Sequence, residues 1–377
     1  MKSTPPMGWN SWNTFYDQID EKLALETADA MIAEGLRDLG YEYVILDDCW
    51  ALRERVDGRL VPDPKKFPHG MKALADAVHA RGMKLGLYGC CGVRTCAGYP
   101  GSFDHEYQDA RQMAEWSIDY LKYDNCNRPS GIGSELLYRR MALALRSTGR
   151  DILLAACQWG TEHVENWIRS TGAGTFRSTV DIRDGWFSIE AIARARLEHL
   201  NGGAPFCHDD MDMLVVGMNG AGVNPEVRMT GCTDEEYRTH FALWAFLNSP
   251  LVIGCDVRSL APETRAILRN RDLIRVNQDA EGRAPYKVPV YGNDDAFVLV
   301  KALTGGELAL GFFNFGDAPA NVPLALWDIG LTLSSTKVLR LRDCYAQSSA
   351  GVFGEHFMAT VPPHGSRVYL GGLEERS

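Results

Sequence analysis

The stretch YEYVILDD, residues 41–48, is a short apolar run closed by two aspartates. Ahead of it, Asp20 is placed to cap a helix whose apolar positions Leu25, Ala28, Ile32, Leu36 and Leu39 follow a 3, 4, 4, 3 spacing, with Gly40 available for a left-handed stop. The same unit recurs. Met71, Leu74 and Val78 share one helical face, Gly82 ends that helix, and MKLGLY (83–88) follows as a strand; Leu137, Met141 and Leu145 precede Gly149 and then ILLAAC (152–157). Helices alternating with strands imply parallel pairing through right-handed crossovers, and these strands lack polar/apolar alternation because both faces are buried. In a barrel the C-terminal ends of such strands form one rim. Polar or reactive residues gather at those ends: Asp47 and Asp48, Tyr88, Lys122 and Asp124, Cys157, Arg177 and Asp181.

From about residue 286 the texture changes. DDAFVLVKAL, ELALGFFNF, TKVLRLRDC and SRVYLGG are β-rich runs separated by Gly, Asp and Pro with no helical period, which predicts a small antiparallel sandwich. The expected division is a barrel over 1–285 and a β domain over 286–377, with the boundary near NQDAEGRAPY (277–286). The 377 residues are 45% hydrophobic and 23% charged, ordinary for a globular chain. A net charge of -10 without a Lys/Arg cluster argues against nucleic acid, and no stretch reaches the roughly 18 apolar residues of a membrane span. The N-terminus carries no apolar leader, so a cytoplasmic location is expected. Ten cysteines show no zinc-type CxxC pairs.

IDYLKYDNC (118–126) ends an apolar strand with Lys122, Asp124 and Cys126. A carboxylate beside a lysine stays ionised and can attack an electrophilic carbon; a rim salt bridge would use the same residues. Asp181 in FRSTVDIRDGW is a second carboxylate, and it or Asp184 serves equally as a proton donor or as a cap for the next helix. Two carboxylates in different environments are the minimum equipment of a glycosidase. Trp9, Trp12, Trp50, Tyr88 and Trp159 adjoin the same strand ends, where an aromatic face can stack on a sugar ring or simply fill core.

MGWNSW, ILDDCW, KLGLYG through TCAGYPGS, DYLKYDNC, CQWG, FRSTVDI, DDMDMLVVG, NSPLVIG and VNQD stand in this order from Met7 to Asp279. In these motifs the sequence resembles glycoside hydrolase family 27, and in particular its α-galactosidases. The resemblance implies a (β/α)8 TIM barrel followed by a C-terminal antiparallel β-sandwich, a retaining exo-α-galactosidase, and no metal or organic cofactor. By the same resemblance Asp124 is the nucleophile and Asp181 the general acid/base, which must hold a raised pKa until Asp124 is esterified. Asp47 and Asp48 match the pair that binds O4 and O6, and Lys122 the residue that holds O3 and O4. Arg177 and Asp212, with Met213 beside them, match the surroundings of O2 and O3, while Trp12 and Tyr88 resemble an apolar wall and a hydroxyl contact. Cys157, Gln158 and Trp159 stand where members carry the segment that reads the 2-substituent. Cys96 and Cys126 match a disulfide beside the nucleophile, but the other family disulfides lack partners here, which points to a reducing compartment and leaves that bond open.

The partner implied is a galactose-containing oligosaccharide or glycoconjugate, with a homo-oligomer compatible with the sequence. The rival readings are an α-N-acetylgalactosaminidase, a β-L-arabinopyranosidase, an isomalto-oligosaccharide hydrolase and a non-catalytic sugar-binding barrel. A metal site in HDDMD (208–212) is a further alternative, disfavoured because it lacks two histidines at a helical spacing.

Overall fold

The computed structural model describes residues 3–200, 202–332 and 334–376. Eight strands, β1 (Met7–Asn10), β2 (Tyr43–Leu46), β3 (Lys84–Cys90), β4 (Tyr120–Asp124), β5 (Leu153–Cys157), β6 (Thr175–Arg177), β7 (His208–Asp210) and β8 (Leu251–Ile253), form one sheet. Their order is β7-β6-β5-β4-β3-β2-β1-β8, with parallel neighbours throughout. The two ends meet just past β7. Leu214 bridges Ile253 in parallel, its amide donating to Val252 O at 2.7 Å and its carbonyl accepting from Gly254 N at 2.9 Å. The chain thus forms the expected (β/α)8 barrel.

Strand period 2 sorts the side chains into two layers. Tyr43, Ile45, Tyr120, Ala155, Met213 and Val252 fill the barrel interior, whereas Val44, Leu46, Leu121 and Leu154 face outward into the helix layer. On β4 the inward series runs Tyr120, Lys122, Asp124, so a packed plug is topped by charge within two residues.

The first helix is shorter than its spacing predicts. Asp20 caps it, Oδ1 accepting from Leu23 N at 2.7 Å, but it spans Glu21–Ala33 and buries Leu23, Ala24, Ala28 and Met31. Gly35 turns left-handed at φ 69°, and Arg37–Leu39 form a separate 3₁₀ turn flanked by Leu36 and Gly40. The alternation continued the period across a break that Gly35 makes. The later helices, Gly70–Ala80 and Ser134–Ser147, bury the residues named for them.

After the last barrel helix, Arg271–Asn277, come β9 (Tyr286–Val290), β10 (Asn293–Ala302), β11 (Leu308–Asn314), β12 (Ala320–Ala325), β13 (Lys337–Asp343), β14 (Ser348–Phe353), β15 (His356–Val361) and β16 (Ser366–Glu375). Six of them make an antiparallel sheet in the order β14-β13-β16-β11-β10-β9, and β12 pairs with β15. Alternation along β10 and β11 divides the sheet: Val298, Val300, Leu310 and Phe312 pack on β12 and β15, while Phe297, Leu299, Ala309 and Phe313 join the barrel's own core. Among the described residues no helix is long and apolar enough to cross a membrane.

Candidate active site

The C-terminal strand ends open into a cleft of about 770 Å³ whose lining includes Trp12, Asp47, Tyr88, Cys96, Lys122, Asp124, Cys157, Arg177, Asp181, Asp212 and Met213. Eight strands converging on one rim explain how residues 200 positions apart share it. Asp124 ends β4. Its Oδ2 accepts from the Tyr88 hydroxyl at 2.9 Å and its Oδ1 from Asn125 N at 2.8 Å. Burial pushes its pKa up and the nearby Lys122 charge pulls it down, leaving it at about 6.

Lys122 donates to Asp47 Oδ2 at 2.7 Å, an oxygen that also accepts from Asn10 Nδ2 at 2.8 Å. Burial alone would lower the lysine's pKa, but Asp47 and the other acidic groups around it more than offset that, so it stays charged. Across the cleft Arg177, itself buried, pairs with Asp181 through Nη2 and with Asp212 Oδ1 through Nη1 at 3.0 Å. Asp212 sits at φ 81°, a costly conformation for a non-glycine residue, and is held there by Ile182 N and Met213 N donating to its two oxygens. Burial raises it to about 6 against the pull of Arg177.

Asp181 departs from expectation. Its side chain is 68% exposed, and although partial desolvation raises its pKa, Arg177 and Lys122 pull it below the ordinary carboxylate value. In the open cleft the more basic carboxylate is therefore Asp124, the reverse of the expected order. The cause is the ion pair with Arg177, which needs Asp181 charged.

Not every named residue reaches the cleft. Asp48 is buried beside it, its Oδ1 taken by Cys49 N at 2.7 Å and its Oδ2 by Ala97 N at 3.0 Å. Gln158 turns into the protein, donating to Thr161 Oγ1 and Ser134 Oγ, because it follows inward-facing Cys157 and so points the other way. Trp159 is half-buried outside the lining residues. Trp9 and Trp50 are core: their indole N–H groups donate to Cys255 O and Tyr88 O, both at 2.9 Å. Cys96 and Cys126 are joined as a disulfide, and Cys96 Sγ lies 3.5 Å from Asp124 Oδ2. Those three residues are the group of potential metal ligands among the described residues, but the two sulfurs are bonded to each other. The aspartates of HDDMD are separately engaged: Asp209 with Ser178 and Arg196, Asp210 with Asp212 N, Asp212 with Arg177.

Asp184 is no cleft residue either. It is fully buried and its carboxylate accepts from Tyr237 Oη and Gly220 N, each at 2.7 Å. Two contributions went unread in the sequence. Asp210 lies beneath the floor beside Lys122 and Arg177, and Val180, Phe187 and Met229 form the outer wall. The WF pair directly after Gly185, at the start of the next helix, was the available clue.

Comparison with known proteins shows the family. Residues 4–279 match the family model described as α-galactosidase A, and residues 293–370 match the α-galactosidase C-terminal β-sandwich domain. An α-galactosidase of Coffea arabica is 43% identical over 97% of this chain and 93% of its own. Among solved structures, α-galactosidase I of Mortierella vinacea superposes with a TM-score of 0.91 at 34% identity, covering 98% of this chain and 97% of that one. The α-galactosidase of Saccharomyces cerevisiae with raffinose gives 0.86 at 28% identity, covering 98% of each. With both the barrel and the β-sandwich matched, this chain belongs to the α-galactosidase family of glycoside hydrolases, family 27.

Proposed function

We propose that the protein is a retaining exo-α-galactosidase that removes terminal α-linked galactose from an oligosaccharide or glycoconjugate by double displacement. The observation that carries this is the pairing, in one cleft, of a rigidly held Asp124 with an exposed Asp181 on the opposite wall. Asp124 is fixed by Tyr88 and Asn125, so its free lone pairs are aimed without reorganisation, as a nucleophile requires. Asp181 is the reachable acid.

Asp47 and Lys122 form a preset charged pair that suits an axial O4 with the neighbouring O6, and Arg177 with Asp212 forms a second pair for O2 and O3. Asp48 supports the first pair by fixing the 95–97 loop through Ala97 N. In the free enzyme burial holds Asp124 above the ordinary carboxylate value while Arg177 and Lys122 hold Asp181 below it, whereas attack requires the proton on Asp181. Filling the cleft removes water from Asp181 and raises its pKa, while Arg177 retains Asp212 as partner. Asp124 then attacks the anomeric carbon as Asp181 protonates the leaving oxygen; in the second half Asp181 takes a proton from the water that releases galactose.

Relatives named as α-galactosidases support the sugar, as does the charged pair at Asp47 and Lys122. A panel of nitrophenyl glycosides tests it. The α-galactoside should be hydrolysed with a higher kcat/KM than the α-N-acetylgalactosaminide, β-L-arabinopyranoside and α-glucoside; a preference for any of those three would transfer the protein to that activity.

A further inference from the structure

The cleft changes character from floor to lip. Its floor is charged, formed by Asp47, Lys122, Asp124, Arg177 and Asp212. Its outer wall comes from the loops 178–185 and 223–231 and the first turn of the helix Trp186–Leu197, and exposes apolar side chains: Val180 is 66% exposed, Phe187 77% and Met229 38%, with Pro225 and Val227 in the same lining. Large apolar side chains left in water along one wall of a cleft mark a surface that a ligand covers.

This wall is fixed. Buried Asp184 staples the two loops: its carboxylate accepts from Gly220 N and Tyr237 Oη, its own N–H donates to Val227 O at 3.0 Å, and its carbonyl accepts from Gly231 N at 3.1 Å. Met229 is seated against the turn at Gly185, where an added Cβ would meet its Sδ at 3.1 Å, immediately before the helix that carries Phe187. Arg183 and Glu226, charged residues of the same lining besides Asp181, are exposed to solvent. The volume is in the range of clefts that hold drug-sized molecules, so a sugar seated at Asp124 leaves room beyond it. The direction is set by Asp181. It adjoins Val180 in sequence, so a leaving group that receives its proton departs along the apolar wall.

We propose that Val180, Phe187 and Met229 form the leaving-group subsite, and that it selects galactosides whose aglycone presents an apolar aromatic or alkyl surface over those whose aglycone is another sugar. This rests on the α-galactosidase reading above.

The test compares methyl, benzyl and octyl α-galactosides with the disaccharide 6-O-α-galactosylglucose, all below the concentration at which the octyl compound forms micelles. Their leaving alcohols need similar protonation, so differences report the subsite. The benzyl or octyl compound should exceed the methyl one in kcat/KM by about tenfold, and the disaccharide should not. Benzyl ahead of octyl identifies an aromatic aglycone, octyl ahead an alkyl one. Phe187→Ala and Val180→Asn, both at exposed positions, should each lower the ratio of the better apolar substrate to methyl severalfold. A wild-type ratio near one, a ratio unmoved by both substitutions, or an equal gain for the disaccharide would overturn the subsite while leaving the α-galactosidase reading intact. Failure to hydrolyse any of the four would overturn both.

Discussion

Asp124 is held in a place where its charge is costly. Its folded pKa of about 6 lies above the ordinary 3.8, so between pH 4 and 6 the folded protein binds more protons than the unfolded one. Stability attributable to this residue is therefore complete below pH 4 and is lost as pH rises through 6. Replacing it by Asn removes the buried charge. Asp124→Asn should unfold at higher denaturant than wild type at pH 7, by up to about 3 kcal/mol, with the advantage vanishing by pH 4; a variant less stable at both pH values would contradict the burial argument. Asp181 makes the complementary case. With Asp181→Ala, a dinitrophenyl galactoside, whose leaving group needs little protonation, should lose far less in its first step than an alkyl galactoside. Equal losses for the two would remove Asp181 from the role of proton donor.

At the scale of elements, the strand-end carboxylates were legible because sequence alone places a residue at the end of a strand and on one of its faces. Lys122 and Asp124 share the inward face of β4 by period 2, and Asp47 directly follows β2, in phase with inward-facing Tyr43 and Ile45. Loop residues were not legible in this way. Asp48 and Trp159 lie beyond strand ends, where the direction of a side chain depends on local partners, as the Cys49 and Ala97 amides that donate to Asp48 show. Barrel closure was hidden for a related reason: β7 is only three residues long, and the contact to β8 is made by Leu214 after the irregular Asp212 turn. Asp184, a rival acid by sequence, organises two loops. Asp184→Ala leaves Gly220 N and the Tyr237 hydroxyl unpaired and should cost about 3 kcal/mol in chemical denaturation. Asp184→Asn should recover part of that stability and retain the wild-type dependence on leaving group, an outcome that a proton donor could not give.

The whole molecule is tied across its two parts by apolar packing and by ion pairs such as Arg342 with Asp272 and Arg367 with Glu235. Phe297, Leu299 and Phe313 from the C-terminal sheet belong to the barrel's core, Phe313 meeting Phe246 edge-on at 6.0 Å. Trp186, beside Phe187 at the cleft wall, stacks on His364 at 4.8 Å, so the sheet also supports the helix that lines the cleft. Lys301 is buried in the same seam, donating to Val276 O and to Asn248 Oδ1. Such continuity makes the sheet part of one cooperative unit. Phe313→Ala should cost about 3–5 kcal/mol and shift a single calorimetric transition downward. A new low-temperature transition, with the barrel melting unchanged, would show instead that the sheet unfolds independently.

The central claim, attack by Asp124 with Asp181 as acid and base, is tested most directly by the configuration of the first product. Proton NMR of the anomeric region during hydrolysis of an α-galactoside should show α-galactose appearing before β-galactose, since two displacements restore the starting configuration. Initial release of β-galactose would contradict the account, because a single displacement by water leaves Asp124 no covalent role.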